Sequence, residues 1–213
     1  MERRNFIQSL VVVGAASGLG VGSQWVQAQS GGFKPSKETV PRSNPGKIEV
    51  IEFFWYGCPH CYEFEPLIQA WKKTLATDVM FRQVPVGWPS KRVNFTGHQK
   101  LFFALEAMGV LNTAHGKVFD AMHKDKKQLA DDAQIFDFAE SIGLNRTEFA
   151  NNFKSFGVNA KANQAIALAN AYGVDGVPAL GIDGKFLTSA SLAGSNQDAL
   201  RVADTLIKRQ RQG

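Results

Sequence analysis

The chain has 213 residues, 44% hydrophobic and 20% charged, with a formal net charge of +5. That is ordinary globular composition, enough for one sizeable core with room for an inserted subdomain. The basic excess is mild and forms no dense block outside the termini, so it reads as a solvated surface and not as a nucleic-acid interface.

Residues 1–28 read as a signal peptide. Arg3 and Arg4 precede a mostly apolar or small stretch from Phe6 to about Gly22, and Val26-Gln27-Ala28 suits a cleavage site. The stretch is too short and too rich in Gly and Ser for a membrane span. Arg3-Arg4-Asn5-Phe6-Ile7 resembles the twin-arginine export pattern, and an ordinary secretory signal fits the same residues. Either route makes export the expectation, with the periplasm as destination. Residues 29–46, rich in Gly, Ser, Pro and Lys, read as a flexible leader with at most a short extended piece.

Ile48 to Tyr56 is apolar, β-branched and aromatic, broken only by Glu49 and Glu52, which is a buried-strand pattern ended by Gly57. A helix follows at once, with Cys58 at its N-cap and Pro59 at its first position, where a missing N–H costs nothing. Cys61, Phe64, Leu67, Ile68, Trp71 and Leu75 recur at spacings of three and four and form one buried stripe. Pro66 should kink this helix. Val79 to Val86 reads as a second strand whose Pro85 places its end at an edge or an irregularity.

From Asn94 to about Tyr172 the pattern is helical. Leu101 to Met108, Val118 to Met122, Ile135 to Ile142, Thr147 to Phe156 and Ala160 to Tyr172 mark five helices, punctuated by Gly143 and Gly157. Ala179 to Ile182 and Lys185 to Leu187 flank Asp183-Gly184, a two-residue hairpin signal. Asn196 to Arg209 is a last amphipathic helix.

Only two cysteines occur, in Cys58-Pro59-His60-Cys61. In an oxidising compartment they should form a disulfide. Closing so small a loop contributes only on the order of 2 kcal/mol in the chain-entropy account, so a purely structural staple is a poor use of the pair. Two cysteines fall short of a structural zinc site. Covalent haem attachment needs His after the second cysteine, where Tyr62 stands. A copper-carrying dithiol stays open beside the leading reading, which is redox chemistry. A cysteine reacts as its thiolate. Cys58 at a helix N-terminus faces unpaired N–H groups and the positive end of the dipole, and His60 adds to that. Glu63 and Glu65 oppose it slightly and are expected to face solvent. Cys58 should therefore be the exposed, acidic sulfur and Cys61, on the apolar stripe, its buried partner.

Phe53-Phe54-Trp55-Tyr56-Gly57-Cys58-Pro59-His60-Cys61 resembles the active-site segment of the DsbA family of dithiol oxidases. Gly176-Val177-Pro178-Ala179, followed by Gly184-Lys185, is similar to that family's cis-proline loop and closing hairpin. The likeness covers about residues 45–210. It implies an α/β, thioredoxin-like fold, a central mixed sheet flanked by helices, made of residues 47–93 and 173–213, with an all-helical domain inserted over 94–172. It also implies residue roles: Cys58 as nucleophile, Cys61 as buried partner, His60 and Pro59 as the tuning residues between them. Val177 would pair through its backbone with a bound peptide, and Pro178 would be the cis-proline facing the disulfide. Glu52, six residues before Cys58, matches a buried acid that exchanges a proton with Cys61. The family places a lysine beside that acid on the second strand; Phe81 and Arg82 stand in that region and no lysine does.

The implied activity is donation of the Cys58–Cys61 disulfide to unfolded exported proteins by a monomer that needs no cofactor, with reoxidation by a DsbB-like, quinone-linked membrane protein. A disulfide isomerase or reductase is the nearest alternative, but such relatives carry a dimerisation domain for which residues 29–46 leave no room. A copper- or thiol-binding module without turnover is the alternative from another class. Trp55, Tyr56 and Trp88 could line an apolar substrate groove, and packing explains them equally well. His98, His115 and His123 fall at no ligand spacing and read as surface or satisfied core residues.

Overall fold

The structure is a computed structural model, and it describes residues 31–212. The signal peptide expected over residues 1–28 therefore lies outside the described residues. The elements in chain order are β1 (Phe33–Pro35), β2 (Ile48–Phe54), α1 (Pro59–Lys72), β3 (Val79–Pro85), α2 (Phe95–Ala107), α3 (Leu111–His123), α4 (Asp132–Ser141), α5 (Arg146–Lys154), α6 (Phe156–Tyr172), β4 (Ala179–Ile182), β5 (Phe186–Ser189), α7 (Ala190–Ala193) and α8 (Asn196–Gln212). The five strands form one mixed sheet in the order β1-β5-β4-β2-β3. β2 runs parallel to β3 and antiparallel to β4, and β5 runs antiparallel to both β4 and β1. No helix among the described residues is long and apolar enough to cross a membrane.

β2 is buried along its whole length, because it lies between β3 and β4 and apolar clusters cover both of its faces. Its alternation sends Ile48 and Val50 toward one cluster, with Phe64, Ile68, Trp71, Leu180 and Leu206. Ile51 and Phe53 face a larger cluster on the other side, built mostly from α2–α6. β3 is an edge strand, which accounts for the tolerated Pro85. α1 runs through Pro66 from Pro59 to Lys72 without interruption.

The short extended piece allowed for within residues 29–46 is β1, but the stretch is not flexible from Phe33 onward: β1 pairs in register with β5, and the Val40 N–H donates to the Gly184 carbonyl at 2.9 Å. Three residues of edge pairing leave too weak a periodicity to see in sequence. Gly157 does not separate helices either. Ser155 closes α5 and caps α6 by accepting from the Val158 N–H at 3.2 Å, so α6 starts ahead of Gly157.

The hairpin turn forms as its sequence requires. Asp183 and Gly184 both take positive φ, +57° and +68°, the pair that a two-residue turn between twisted strands needs. A side chain at Gly184 would run into the Val40 carbonyl. α6 is locked to this hairpin through Tyr172, whose hydroxyl accepts from the Gly184 N–H at 2.8 Å while its ring packs where Gly181 has no side chain. The hairpin in turn holds Val177 and Pro178 at the end of β4.

Candidate active site

Cys58 sits where β2 hands over to α1. Its N–H donates to the Trp55 carbonyl at 3.0 Å, closing the turn that carries Gly57. Its φ of −85° and ψ of 116° are those of an N-cap, and its Sγ accepts from the Cys61 N–H at 3.4 Å. Both cysteines are free thiols here. Cys58 keeps 8% of its surface exposed and Cys61 none, so the expected asymmetry holds, while "exposed" overstates Cys58. Val177 covers it: the Cys58 thiol lies 3.4 Å from the Val177 carbonyl, and the Val177–Pro178 peptide is cis.

The two sulfurs differ in acidity for identifiable reasons. Cys58 is lowered to about 6, first by the hydrogen bond from the Cys61 thiol, against the opposing cost of burial, then by the Cys61 and His60 N–H groups. The charge of His60 comes last in that series. Its imidazole is 76% exposed and leans 3.5 Å from Glu63. His60 therefore acts mainly through its backbone position in the first turn of α1, where Pro59 opens the helix. Burial pushes the Cys61 thiol strongly up, and the neighbouring Cys58 adds to it.

Glu52 is 1% exposed and faces the α1 side of β2, and burial together with the charge of Glu65 raises it to about 8. The parallel register sets Gln83 opposite Glu52. Gln83 thus occupies the place where the family resemblance implies a lysine, while Arg82 turns away to Glu49 at 2.9 Å. Glu65 does not face solvent as expected. It is largely buried and bonded to Gln69, Gln83 and His115, because position 65 follows Cys61 by one helical turn and shares its inward face.

Tyr56 is a second correction among the site residues. It is fully buried, its hydroxyl 2.8 Å from His115 Nδ1 and its ring packed edge-on to Phe54, so it lines no groove. Trp55 does line one, a cleft of about 370 Å³ shared with Pro59, His98 and Met122. Trp88 stands apart, on another cleft beside Phe95. A further cleft of about 440 Å³ brings His60, Val177, Pro178 and Leu192 together.

The histidines are satisfied, and all three grip the segment leading into Cys58. His98 accepts from Trp55 Nε1 at 2.8 Å, His115 meets the Tyr56 hydroxyl, and His123 Nε2 donates to the Tyr56 carbonyl at 2.8 Å. Their spacing in sequence gives no hint of this, because α2 and α3 must dock before the three contacts converge.

The family model described as the DSBA-like thioredoxin domain matches residues 67–201. The chain is 41% identical to the thiol:disulfide interchange protein DsbA of Pseudomonas syringae pv. tomato over 212 residues, covering 98% of this chain and 96% of that protein. It is 39% identical to the DsbA of Burkholderia cepacia over 200 residues, covering 93% of each. The crystal structure of Pseudomonas aeruginosa DsbA superposes with a TM-score of 0.80 at 39% identity, covering 85% of this chain and 93% of that one. A thioredoxin-like sheet, a Cys-Pro-His-Cys pair at the head of α1 and this degree of kinship agree: the chain belongs to the DsbA family and is a thiol:disulfide oxidoreductase.

Proposed function

We propose that the chain passes a Cys58–Cys61 disulfide to exported proteins in the periplasm, with the disulfide itself as the redox centre and no added cofactor. The observation that supports this most directly is the unequal pair: a Cys58 sulfur lowered to about 6 beside a sealed Cys61. Stabilising the reduced thiolate makes the disulfide a stronger oxidant, a relation that DsbA proteins themselves exemplify. A substrate thiolate attacks Cys58 Sγ, since Cys58 is the one residue of the pair with exposed surface. The Cys58–Cys61 bond breaks, its electron pair goes to Cys61 Sγ, and Glu52 gives that sulfur a proton. A second substrate thiolate attacks the same mixed disulfide and leaves with the substrate's disulfide, and Cys58 departs as a thiolate.

Val177 would pair with the substrate backbone, Pro178 would hold it against the sulfur, and Trp55 and the cleft at Leu192 would receive side chains flanking the substrate cysteine. Residues 94–172 would form an inserted helical domain within a thioredoxin-like domain of 47–93 and 173–213, after a signal peptide over 1–28. A DsbB-like membrane protein would restore the disulfide. The test is to block free thiols in the native compartment and read the redox state of Cys58 and Cys61. A largely oxidised pair is the expected result. A largely reduced pair would overturn the oxidase reading in favour of an isomerase or reductase.

A further inference from the structure

A closed polar cluster lies between β2, β3, α1 and α3. Gln83 Nε2 donates to Glu52 Oε2 at 2.8 Å and to Glu65 Oε2 at 3.1 Å. His115 Nε2 lies 3.1 Å from the same amide nitrogen and 3.5 Å from Glu65 Oε2, and His115 Nδ1 lies 2.8 Å from the Tyr56 hydroxyl. An amide nitrogen has two hydrogens, and the two carboxylates take both. His115 Nε2 then cannot accept from Gln83, so it bears a hydrogen directed at Glu65, and Nδ1 accepts from Tyr56. This assignment gives the Gln83 nitrogen, both His115 nitrogens and the Tyr56 hydroxyl a partner.

Two carboxyl groups that share one neutral amide inside a protein do not ionise equally. Glu65 takes hydrogen bonds from Gln69 at 2.7 Å, from Gln83 and from His115, whereas Gln83 is the donor found on Glu52. Burial raises Glu65, but these donors outweigh it and hold the group below its ordinary value. Glu52, buried and facing that charge, is the group left with the proton. The groups acting on it are Glu65, Lys72 and Cys61 from α1 and Gln83 from β3, with His115 of α3 behind Glu65. Lys72 is the weakest of the influences on it, so no cation dominates the cluster.

We propose that Glu65, oriented by His115 and joined to Glu52 through the Gln83 amide, is a positioning residue that keeps Glu52 protonated for delivery to Cys61. The inference rests on the reading that Glu52 supplies that proton. The O–H bond of Glu52 breaks as the S–H bond of Cys61 forms, and the Glu52 carboxylate is left facing Glu65. Repulsion between the two then favours recovery of a proton from solvent, which resets the site.

The test follows the rate at which the oxidised protein oxidises a reduced model peptide as a function of pH, with folding of each variant verified by circular dichroism. With each rate divided by the fraction of peptide thiol ionised at that pH, the wild type should show an inflection near 8 that Glu52→Gln abolishes. Glu65→Gln should move that inflection down by about one pH unit or more, and Gln83→Met, which removes the donor to Glu52, should move it up. Neither should move any inflection in the Glu52→Gln background. Opposite shifts that vanish with Glu52 are not what loosened packing produces. If Glu52→Gln abolishes the inflection but Glu65→Gln leaves it in place, the role of Glu65 is overturned and that of Glu52 stands. If Glu52→Gln leaves the inflection untouched, the Glu52 reading fails and this inference fails with it.

Discussion

The backbone N–H of Cys61 points at the sulfur of Cys58 from 3.4 Å, so the buried cysteine stabilises the charge of the reactive one through its main chain as well as its thiol. The consequence can be measured in the reduced protein. The ultraviolet absorbance of the thiolate should titrate with a midpoint near 6 and vanish in Cys58→Ser. A depressed acid stabilises the folded reduced form above its unfolded value and loses that contribution as pH falls through the folded value. The melting temperature of the reduced protein, relative to the oxidised one, should therefore drop as pH is lowered from about 9 through 6. A constant difference across that window would contradict the assigned acidity.

Replacing Cys61 with serine leaves Cys58 without its intramolecular rival. Incubation of Cys61→Ser with a peptide disulfide should accumulate a mixed disulfide at Cys58, detectable by mass. Cys58→Ser should trap nothing, since Cys61 has no exposed surface. Comparable trapping by both variants would remove the assigned order of attack.

Glu52 carries a stability cost of the opposite pH sense. Its value is raised from 4.5 to about 8, so the folded state favours the protonated form, and stability is lost as pH rises from the unfolded toward the folded value. Glu52→Gln should leave stability near pH 5 little changed and raise it at about pH 8–9 by on the order of a few kcal/mol. Urea denaturation at the two pH values checks this.

Trp55 and His98 form a pair whose loss should separate stability from reactivity. Trp55→Phe strips the buried His98 Nδ1 of its donor and should cost about 1–3 kcal/mol in denaturant unfolding. The thiolate midpoint of Cys58 should stay where it is, because the donors that set it belong to Cys61 and His60. A shift in that midpoint would show that Trp55 also fixes the turn ahead of Cys58.

Local rules made part of the site legible in sequence. Cys58 as a cap, Pro59 behind it, Cys61 on the apolar stripe and the Asp183-Gly184 turn each depend on neighbours within a few residues, and each forms as read. Val177 and Pro178 carried no local signal and were marked only by family resemblance. Gln83 was missed because its place beside Glu52 is set by strand register, which no spacing within β3 reveals. Glu65 had a signal, four residues after Cys61 on one helix face, but its charge argued for solvent. His115 was opaque because its partners come from the turn after β2, from β3 and from α1 and meet only when the helices pack.

The contact between the Cys58 thiol and the Val177 carbonyl spans 119 positions of sequence. A chain that emerges N-terminus first presents both cysteines long before the loop that covers them has been delivered. During that interval the pair lacks the Val177–Pro178 wall, and α1 has yet to meet α8. The reactive sulfur of a newly made molecule is thus open to the surrounding thiols and disulfides at a stage when nothing shapes its choice of partner, and its selectivity arrives only with the last quarter of the chain.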